Sequence, residues 1–293
     1  MVGVGFLLAA GVLSGCASVL QGDSGTGGGG GGGGGTAPGP GPYEHPIGAE
    51  EPVVSVSVSG GFLPVEASLR TTAQLLLLGD GTVVVPGVTT EIYPGPALYP
   101  LQAATVTEEQ IQELIKAADD AGLLDGEIDY GQPPIADAPD TTVELTVDGR
   151  TVTQSAYALD EQDENSPGIS DDQLAARTAL RGFIDTAQGL GGQASESYVP
   201  TGVVAYWVNI ESMTPVEDPA LDQPAQTWPI TTAPTPPTGS ELTSCVAVTG
   251  EEVGPLLEAL VQANELTPWT IGSEPAARMV FRPQLPGDPG CEK

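Results

Sequence analysis

The chain is short of positive charge. Its 293 residues include eight Lys and Arg against 39 Asp and Glu, which gives a formal net charge of -31 at pH 7. A nucleic-acid-binding surface needs a basic face to meet the phosphates, and so few cations cannot supply one. Electrostatic attachment to an anionic lipid surface is disfavoured for the same reason. We therefore predict no nucleic-acid partner.

Residues that perform nucleophilic or metal chemistry are also scarce. The chain has one His, His45, and three Cys, with no Cys-x-x-Cys pair. His45 lies in a Pro- and Gly-rich stretch, so we expect no imidazole in the folded part for a Ser-His-Asp or Cys-His system. Transition-metal sites built from His and Cys clusters are excluded in the same way. We predict no catalytic residues, no cofactor and no metal ligands, and we favour a protein that is not an enzyme.

The abundant carboxylates leave two alternatives open. A pair of Asp or Glu side chains could perform acid/base catalysis, as in glycosidases, although sequence spacing does not reveal which carboxylates meet in space. The acidic run 160–165 offers oxygen ligands of the kind that Ca²⁺ takes. It fails the EF-hand pattern because Leu174 stands where the bidentate Glu belongs. We interpret the run as a solvated acidic surface.

One apolar stretch is long, and it opens the chain. Met1–Val12 is too short for a transmembrane helix of about 20 residues and is typical of the core of an export signal. The following Leu13-Ser14-Gly15-Cys16 resembles the lipobox of bacterial lipoprotein precursors, which has an aliphatic residue, two small residues and then Cys.

The resemblance implies a signal peptide over residues 1–15, cleavage after Gly15 and a diacylglyceryl group on the Cys16 thiol. Fatty acyl chains such as palmitate would then hold the protein in the membrane, and two or more chains are enough for lasting attachment. Residues 1–15 contain no Lys or Arg, with which a signal peptide normally opens. We therefore expect the charged segment to lie upstream of Met1.

A tether is predicted after the lipid. Gly27–Gly35 is an unbroken glycine run, and proline alternates with glycine from Pro38 to Pro42. Polyglycine has the largest backbone entropy to lose and no side chains to bury, so it does not fold readily. We predict a lipidated Cys followed by a disordered tether over residues 16–50, which holds a domain away from the membrane.

The remaining two cysteines form an even pair. With Cys16 assigned to the lipid by the resemblance, Cys245 and Cys291 are left, and outside the cytoplasm such a pair is expected to oxidise. Closing this loop would stabilise the fold by about 4 kcal/mol in the chain-entropy model. Two free thiols used in redox or metal chemistry are the alternative.

Strand patterns begin at residue 53. Val53–Val58 alternates Val with Ser, as a half-buried strand does. Two hairpins are predicted. The first, around Asp80-Gly81, suits the left-handed angles of a type I′ turn, and its continuous apolar arms indicate strands covered on both faces. The second has a two-residue turn at Asp148-Gly149, with one face toward a core and the other toward water. Further strands are predicted at 203–210, 242–248 and 278–282.

Three helices have the same start signal. Thr107-x-x-Gln110, Ser170-x-x-Gln173 and Thr249-x-x-Glu252 are capping boxes, and each precedes apolar residues at helical spacing. Strands and helices mix without strict alternation, which favours an α+β fold with mostly antiparallel sheet, about three amphipathic helices and one C-terminal disulfide. The globular region is predicted over residues 51–293, with a division into two lobes, 51–195 and 198–293, left open.

Aromatic residues suggest a contact surface. Trp228 and Trp269 each neighbour a proline near a loop, so we predict that they are partly exposed and available to a sugar or a peptide. Trp207 lies in an apolar strand and is predicted to be in the core.

The composition beyond residue 16, with two Lys and abundant Ala, Gly, Pro, Val, Thr and Asp, resembles uncharacterised lipoproteins of high-GC Gram-positive bacteria. This likeness implies a location at the cell membrane, on its extracytoplasmic face, and no particular activity. We interpret the chain as a lipid-anchored, non-catalytic domain that binds another envelope protein or a small ligand. An envelope hydrolase using paired carboxylates is the alternative, and a solute receptor of a transporter is third.

Overall fold

The strand that contains the alternating Val and Ser residues is the third of seven strands in an antiparallel sheet. The computed structural model of this chain describes residues 41–161, 167–209 and 218–291. The sequence-based proposals for the signal peptide, for Cys16 and for the glycine run lie outside these residues. The larger sheet has the strand order β6-β5-β1-β2-β3-β4-β7, and a second, five-stranded sheet has the order β10-β8-β12-β11-β9.

The strands of the larger sheet are β1 (Pro52–Gly60), β2 (Leu75–Leu78), β3 (Thr82–Pro86), β4 (Leu101–Thr105), β5 (Pro139–Val147), β6 (Arg150–Tyr157) and β7 (Glu196–Tyr198). The strands of the smaller sheet are β8 (Gly202–Val208), β9 (Gln226–Thr227), β10 (Thr243–Thr249), β11 (Pro268–Thr270) and β12 (Ala277–Gln284). The helices are α1 (Val65–Arg70), α2 (Glu108–Asp120), α3 (Asp171–Gly191) and α4 (Val253–Val261).

The α+β prediction is confirmed. Every strand pairing in the described residues is antiparallel except that of β11 with β9. The three predicted amphipathic helices are α2, α3 and α4, and the apolar residues predicted to face inward in the first two are all buried. Helix α1 was missed because six residues are too few to display a helical period.

The larger sheet is covered on both faces at β2. Leu75 and Leu77 pack into the apolar layer beneath α2 and α3, whereas Leu76 and Leu78 pack on the opposite face with Leu285, which follows β12. Successive side chains of a strand point to opposite faces, so a run of four leucines is stable only where both faces are buried. The continuous apolar arms of this hairpin indicated such burial correctly.

The smaller sheet also has two apolar faces. One packs against α4 through Val253, Leu256 and Leu260. The other is covered by Val65 and Leu69 of α1. Both short helices therefore serve the same sheet, one on each side.

The two predicted hairpins differ in their turns. Val147 pairs with Arg150, which confirms the two-residue turn, and the φ values of Asp148 and Gly149, 52° and 70°, are those of type I′. In the first hairpin only Gly81 has a positive φ, of 86°. Three residues, 79–81, separate the end of β2 at Leu78 from the start of β3 at Thr82, so the type I′ prediction is wrong there.

Two of the three predicted capping boxes are present. Thr107 with Gln110 and Ser170 with Gln173 make both reciprocal hydrogen bonds. Thr249 makes no side-chain cap, and the Glu252 carboxylate, which would complete the box, accepts from the backbone N–H groups of Thr231 and Thr232. A 3-10 turn occupies residues 250–252, and α4 begins after it.

Part of the predicted tether packs on the folded region. Tyr43 N donates to Gln112 Oε1 at 3.1 Å, and Gln112 Nε2 donates to the Tyr43 carbonyl oxygen at 2.9 Å. The Tyr43 hydroxyl donates to Asp119 Oδ2 at 2.8 Å. Residues 41–45 thus lie along α2, because Pro42 restricts the backbone and Tyr43 and His45 supply side chains that the polyglycine run lacks.

The disulfide prediction is confirmed. Cys245 of β10 and Cys291 are bonded, with their Cα atoms 5.8 Å apart. Both pack against the face of the smaller sheet that α1 covers. The bond fastens the last described residue to an edge strand of that sheet.

The capping boxes generate a matched test. Thr107→Ala and Ser170→Ala should each lower the free energy of unfolding by about 1 kcal/mol, because each leaves helix N–H groups unpaired. Thr249→Ala should leave it unchanged, because its hydroxyl caps nothing. Urea unfolding followed by circular dichroism measures all three, and an equal loss for Thr249→Ala would contradict the assignment.

The disulfide generates a second test. The variant Cys245→Ala/Cys291→Ala should lose about 4 kcal/mol of unfolding free energy, because the unfolded chain regains the entropy of an open loop. Cys291→Ala alone should lose as much, and reduction of the wild type should reproduce the loss. Unchanged denaturant midpoints in all three would show that the bond does not constrain the unfolded chain.

Candidate binding groove

A long loop between β3 and β4, residues 87–100, forms one wall of the candidate site. Gly87 N donates to the Pro100 carbonyl oxygen at 2.8 Å, which closes the base of the loop. Pro94 and Pro96 restrict its backbone near the tip. Irregular connections of this length are uncommon in compact domains and are often functional.

Glu265 holds the middle of this loop. Its Oε1 accepts from Gly95 N at 2.7 Å, its own N–H donates to the Gly95 carbonyl oxygen at 3.0 Å, and its Oε2 lies 3.0 Å from Arg70 Nη1. The Arg70 guanidinium also lies over the ring of Tyr99, 5.7 Å from its centroid. The side chains of Arg70 and Glu265 are 11% and 14% exposed, so the pair is largely shielded from water. These contacts connect α1, the loop and the segment after α4.

An apolar groove lies between this loop, the end of β7 and α4. Its volume is about 830 Å³. Four of its apolar lining residues are strongly exposed: Val88 (85%), Ile92 (70%), Val199 (69%) and Val261 (79%). Among its described lining residues, Glu258 carries the single charge. Exposed apolar residues gathered in one concavity mark a binding site more strongly than scattered ones do.

A smaller cavity of about 360 Å³ adjoins the groove and shares Thr89, Tyr99, Pro100 and Leu101 with it. Arg70 and Thr72 lie on its walls. The apolar groove therefore continues into a more polar recess beside the Arg70–Glu265 pair.

His45 lies in the folded part, and the expectation that it belongs to a disordered stretch is wrong. It is 5% exposed, its Nε2 lies 3.1 Å from Glu108 Oε1, and its Nδ1 lies 2.6 Å from the Pro46 carbonyl oxygen. The ring thus contacts a carboxylate and a carbonyl, rather than the hydroxyl or thiol that a nucleophile system requires.

The tryptophan prediction is wrong. Trp228 is 7% exposed and Trp269 is fully buried. Their rings meet edge to face at 5.8 Å, and both pack on Phe281 beneath α4. Trp269 lies in β11 and Trp228 directly follows β9, so the pairing of these two strands brings both rings into the core rather than to the surface. Trp207 is in the core, as predicted.

The acidic runs form no metal centre in the described residues. No group of three or more His, Cys, Asp or Glu in that part of the chain is placed to hold an ion. Most of the run 160–165 lies outside it. Asp129 accepts from Gly131 N at 2.8 Å and from Gln173 Nε2 at 2.9 Å, and these bonds lower its pKa.

The carboxylate pair of the hydrolase alternative finds no supporting observation. Hydrogen bonds to the ionised form lower the pKa values of Glu109, Asp129 and Glu252. A general acid in this type of chemistry needs a pKa raised above its ordinary range. The groove itself is lined by one carboxylate rather than two facing ones.

Sequence reasoning missed the groove. The available signal was the length of the loop 87–100 together with apolar Val88, Ile92 and Tyr99 among prolines and glycines. The exposure of Val261 had no signal, because it continues the helical spacing of buried α4 residues.

Two further observations bear on function. Within the described ranges, no helix combines the length and apolar character needed to cross a bilayer. Comparison with protein-family models, with curated proteins and with solved structures finds no match to this chain.

Proposed function

We propose that this protein is a lipid-anchored, extracytoplasmic binding protein without catalytic activity, and that the apolar groove is its binding site. The observation that carries the proposal is the groove itself, where four apolar side chains are each more than two-thirds exposed in one concavity of about 830 Å³. Burial of such side chains against a ligand is favourable because it removes apolar surface from water.

The walls of the groove support binding rather than chance exposure. The prolines and the Glu265 hydrogen bonds restrain the loop 87–100 before any ligand arrives. A restrained site loses less conformational entropy on binding than a mobile one. The Cys245–Cys291 disulfide agrees with an oxidising, extracytoplasmic compartment.

The anchoring part of the proposal is tested by Cys16→Ser. The full chain, expressed in a Gram-positive host, should partition into the membrane fraction, whereas Cys16→Ser should lose this partition because no thiol remains to be acylated. Mass spectrometry of the purified wild type should find the lipid on Cys16. An unmodified Cys16 thiol, or a wild-type chain confined to the cytosol, would overturn the anchoring proposal.

The groove is tested by an apolar probe. Nile red, a neutral dye whose fluorescence rises in apolar surroundings, should bind the wild type. Val261→Asp should weaken binding about tenfold or more, because a buried carboxylate without a partner is strongly unfavourable.

Phe62→Asp is the matched control for this test. Phe62 is 89% exposed and does not line the groove, so the same change in charge there should leave dye binding unaltered. Equal fluorescence from the wild type and Val261→Asp would contradict the assignment of the groove. Unchanged circular dichroism would show that both variants are folded.

A further inference from the structure

The charge of the chain restricts what the groove can bind. A second copy would bring another formal charge of -31, so self-association through this face works against strong repulsion. An anionic lipid surface is repelled in the same way. The charge therefore favours a cationic or neutral occupant.

One carboxylate lines the groove, and two others are close in sequence to residues that line it. Glu258 lines it, Glu91 lies between the lining residues Thr90 and Ile92, and Glu196 is exposed on β7. These three carboxylates take no part in the ion pairs His45–Glu108, Arg70–Glu265, Lys116–Asp120 and Arg282–Asp288. Arg70, the cation beside the groove, is already paired with Glu265. An apolar occupant with flanking positive charges would fit this arrangement.

The adjacent sheet edge favours a polypeptide over a lipid. Strand β7 is the last strand of the larger sheet as the structure describes it, and Tyr198, Val199 and Pro200 at its end line the groove. An edge strand presents backbone N–H and C=O groups that another chain can pair with. An acyl chain has no group that could use them.

We propose that the groove binds a basic, extended polypeptide segment of a partner protein. Its apolar side chains pack against Val88, Ile92 and Val261, and its Lys or Arg side chains lie beside Glu91, Glu196 and Glu258. This inference rests on the proposed function, since it names the partner of the same site. Such a segment can bury apolar side chains in the groove, place its cations beside the carboxylates and form backbone hydrogen bonds with the edge strand.

The probe is a fluorescent ten-residue peptide of alternating Val and Lys. The protein is the chain from residue 16 with Cys16→Ser, so that no acyl chain competes. Fluorescence anisotropy should give saturable binding that weakens with salt, because surface charges are screened. A control peptide with Ser in place of Val keeps the positive charges and so measures attraction by charge alone. A second control with Glu in place of Lys keeps the apolar side chains but is repelled by the acidic protein. Both should bind at least about tenfold more weakly than the Val–Lys peptide.

The variants separate seating in the groove from attraction by charge. Val261→Asp adds a negative charge, so attraction by charge alone would strengthen binding of the Val–Lys peptide, whereas seating in the groove predicts a loss of about tenfold. Phe62→Asp adds the same charge elsewhere and should not weaken binding. Glu258→Gln should weaken it about threefold, the scale of an exposed ion pair.

Each other outcome overturns the inference. Binding of the Val–Lys peptide that is equal or tighter in Val261→Asp would show attraction by charge alone. Flotation with phosphatidylcholine vesicles that is lost in Val261→Asp would identify a lipid as the occupant, and a dimer lost in that variant would identify a second copy. Nile red binding without peptide binding would overturn this inference and leave the proposed function standing. If the folded wild type binds neither Nile red nor the peptide, the inference and the assignment of the groove as a binding site are both overturned.

Discussion

The Glu265 carboxylate makes the contacts on which the shape of the groove depends. It accepts from Gly95 in the loop and pairs with Arg70 of α1, while its backbone bonds again to Gly95. Hydrogen bonds to a carboxylate are stronger than bonds between neutral groups, and the two that Glu265 accepts are largely shielded from water. The loop belongs in sequence to the larger sheet and Glu265 to the smaller one, so this contact lets the two sheets form a common site.

A strongly acidic surface and an apolar groove act together in the proposed function. Apolar contact supplies attraction without much selectivity, because any apolar surface can be buried. Charge adds selectivity, since it repels copies of the chain and anionic lipids and attracts cations. In this interpretation the net charge of -31 selects which apolar partner can approach, and the carboxylates near the groove add to how tightly that partner is held.

Buried polar groups stabilise parts of the fold that apolar patterns do not explain. Arg177 of α3 is fully buried and donates to the carbonyl oxygens of Tyr130, Tyr157 and Ala158. Burial lowers its pKa, because desolvation disfavours the charged form. A buried backbone carbonyl oxygen beyond the end of a strand has no partner in the sheet and needs another hydrogen-bond donor. The guanidinium supplies such donors where β6 ends and the chain turns toward α3.

The sequence by itself determined the features that arise from neighbouring residues. The Asp148-Gly149 turn, two capping boxes and the apolar stripes of α2 and α3 depend on contacts within a few residues. Only the tertiary structure decided the partners of Glu252, the burial of Trp228 and Trp269, the place of His45 and the groove. Each of these depends on segments far apart in the chain, and a local pattern does not specify which distant group competes for the same hydrogen bond or covers the same face.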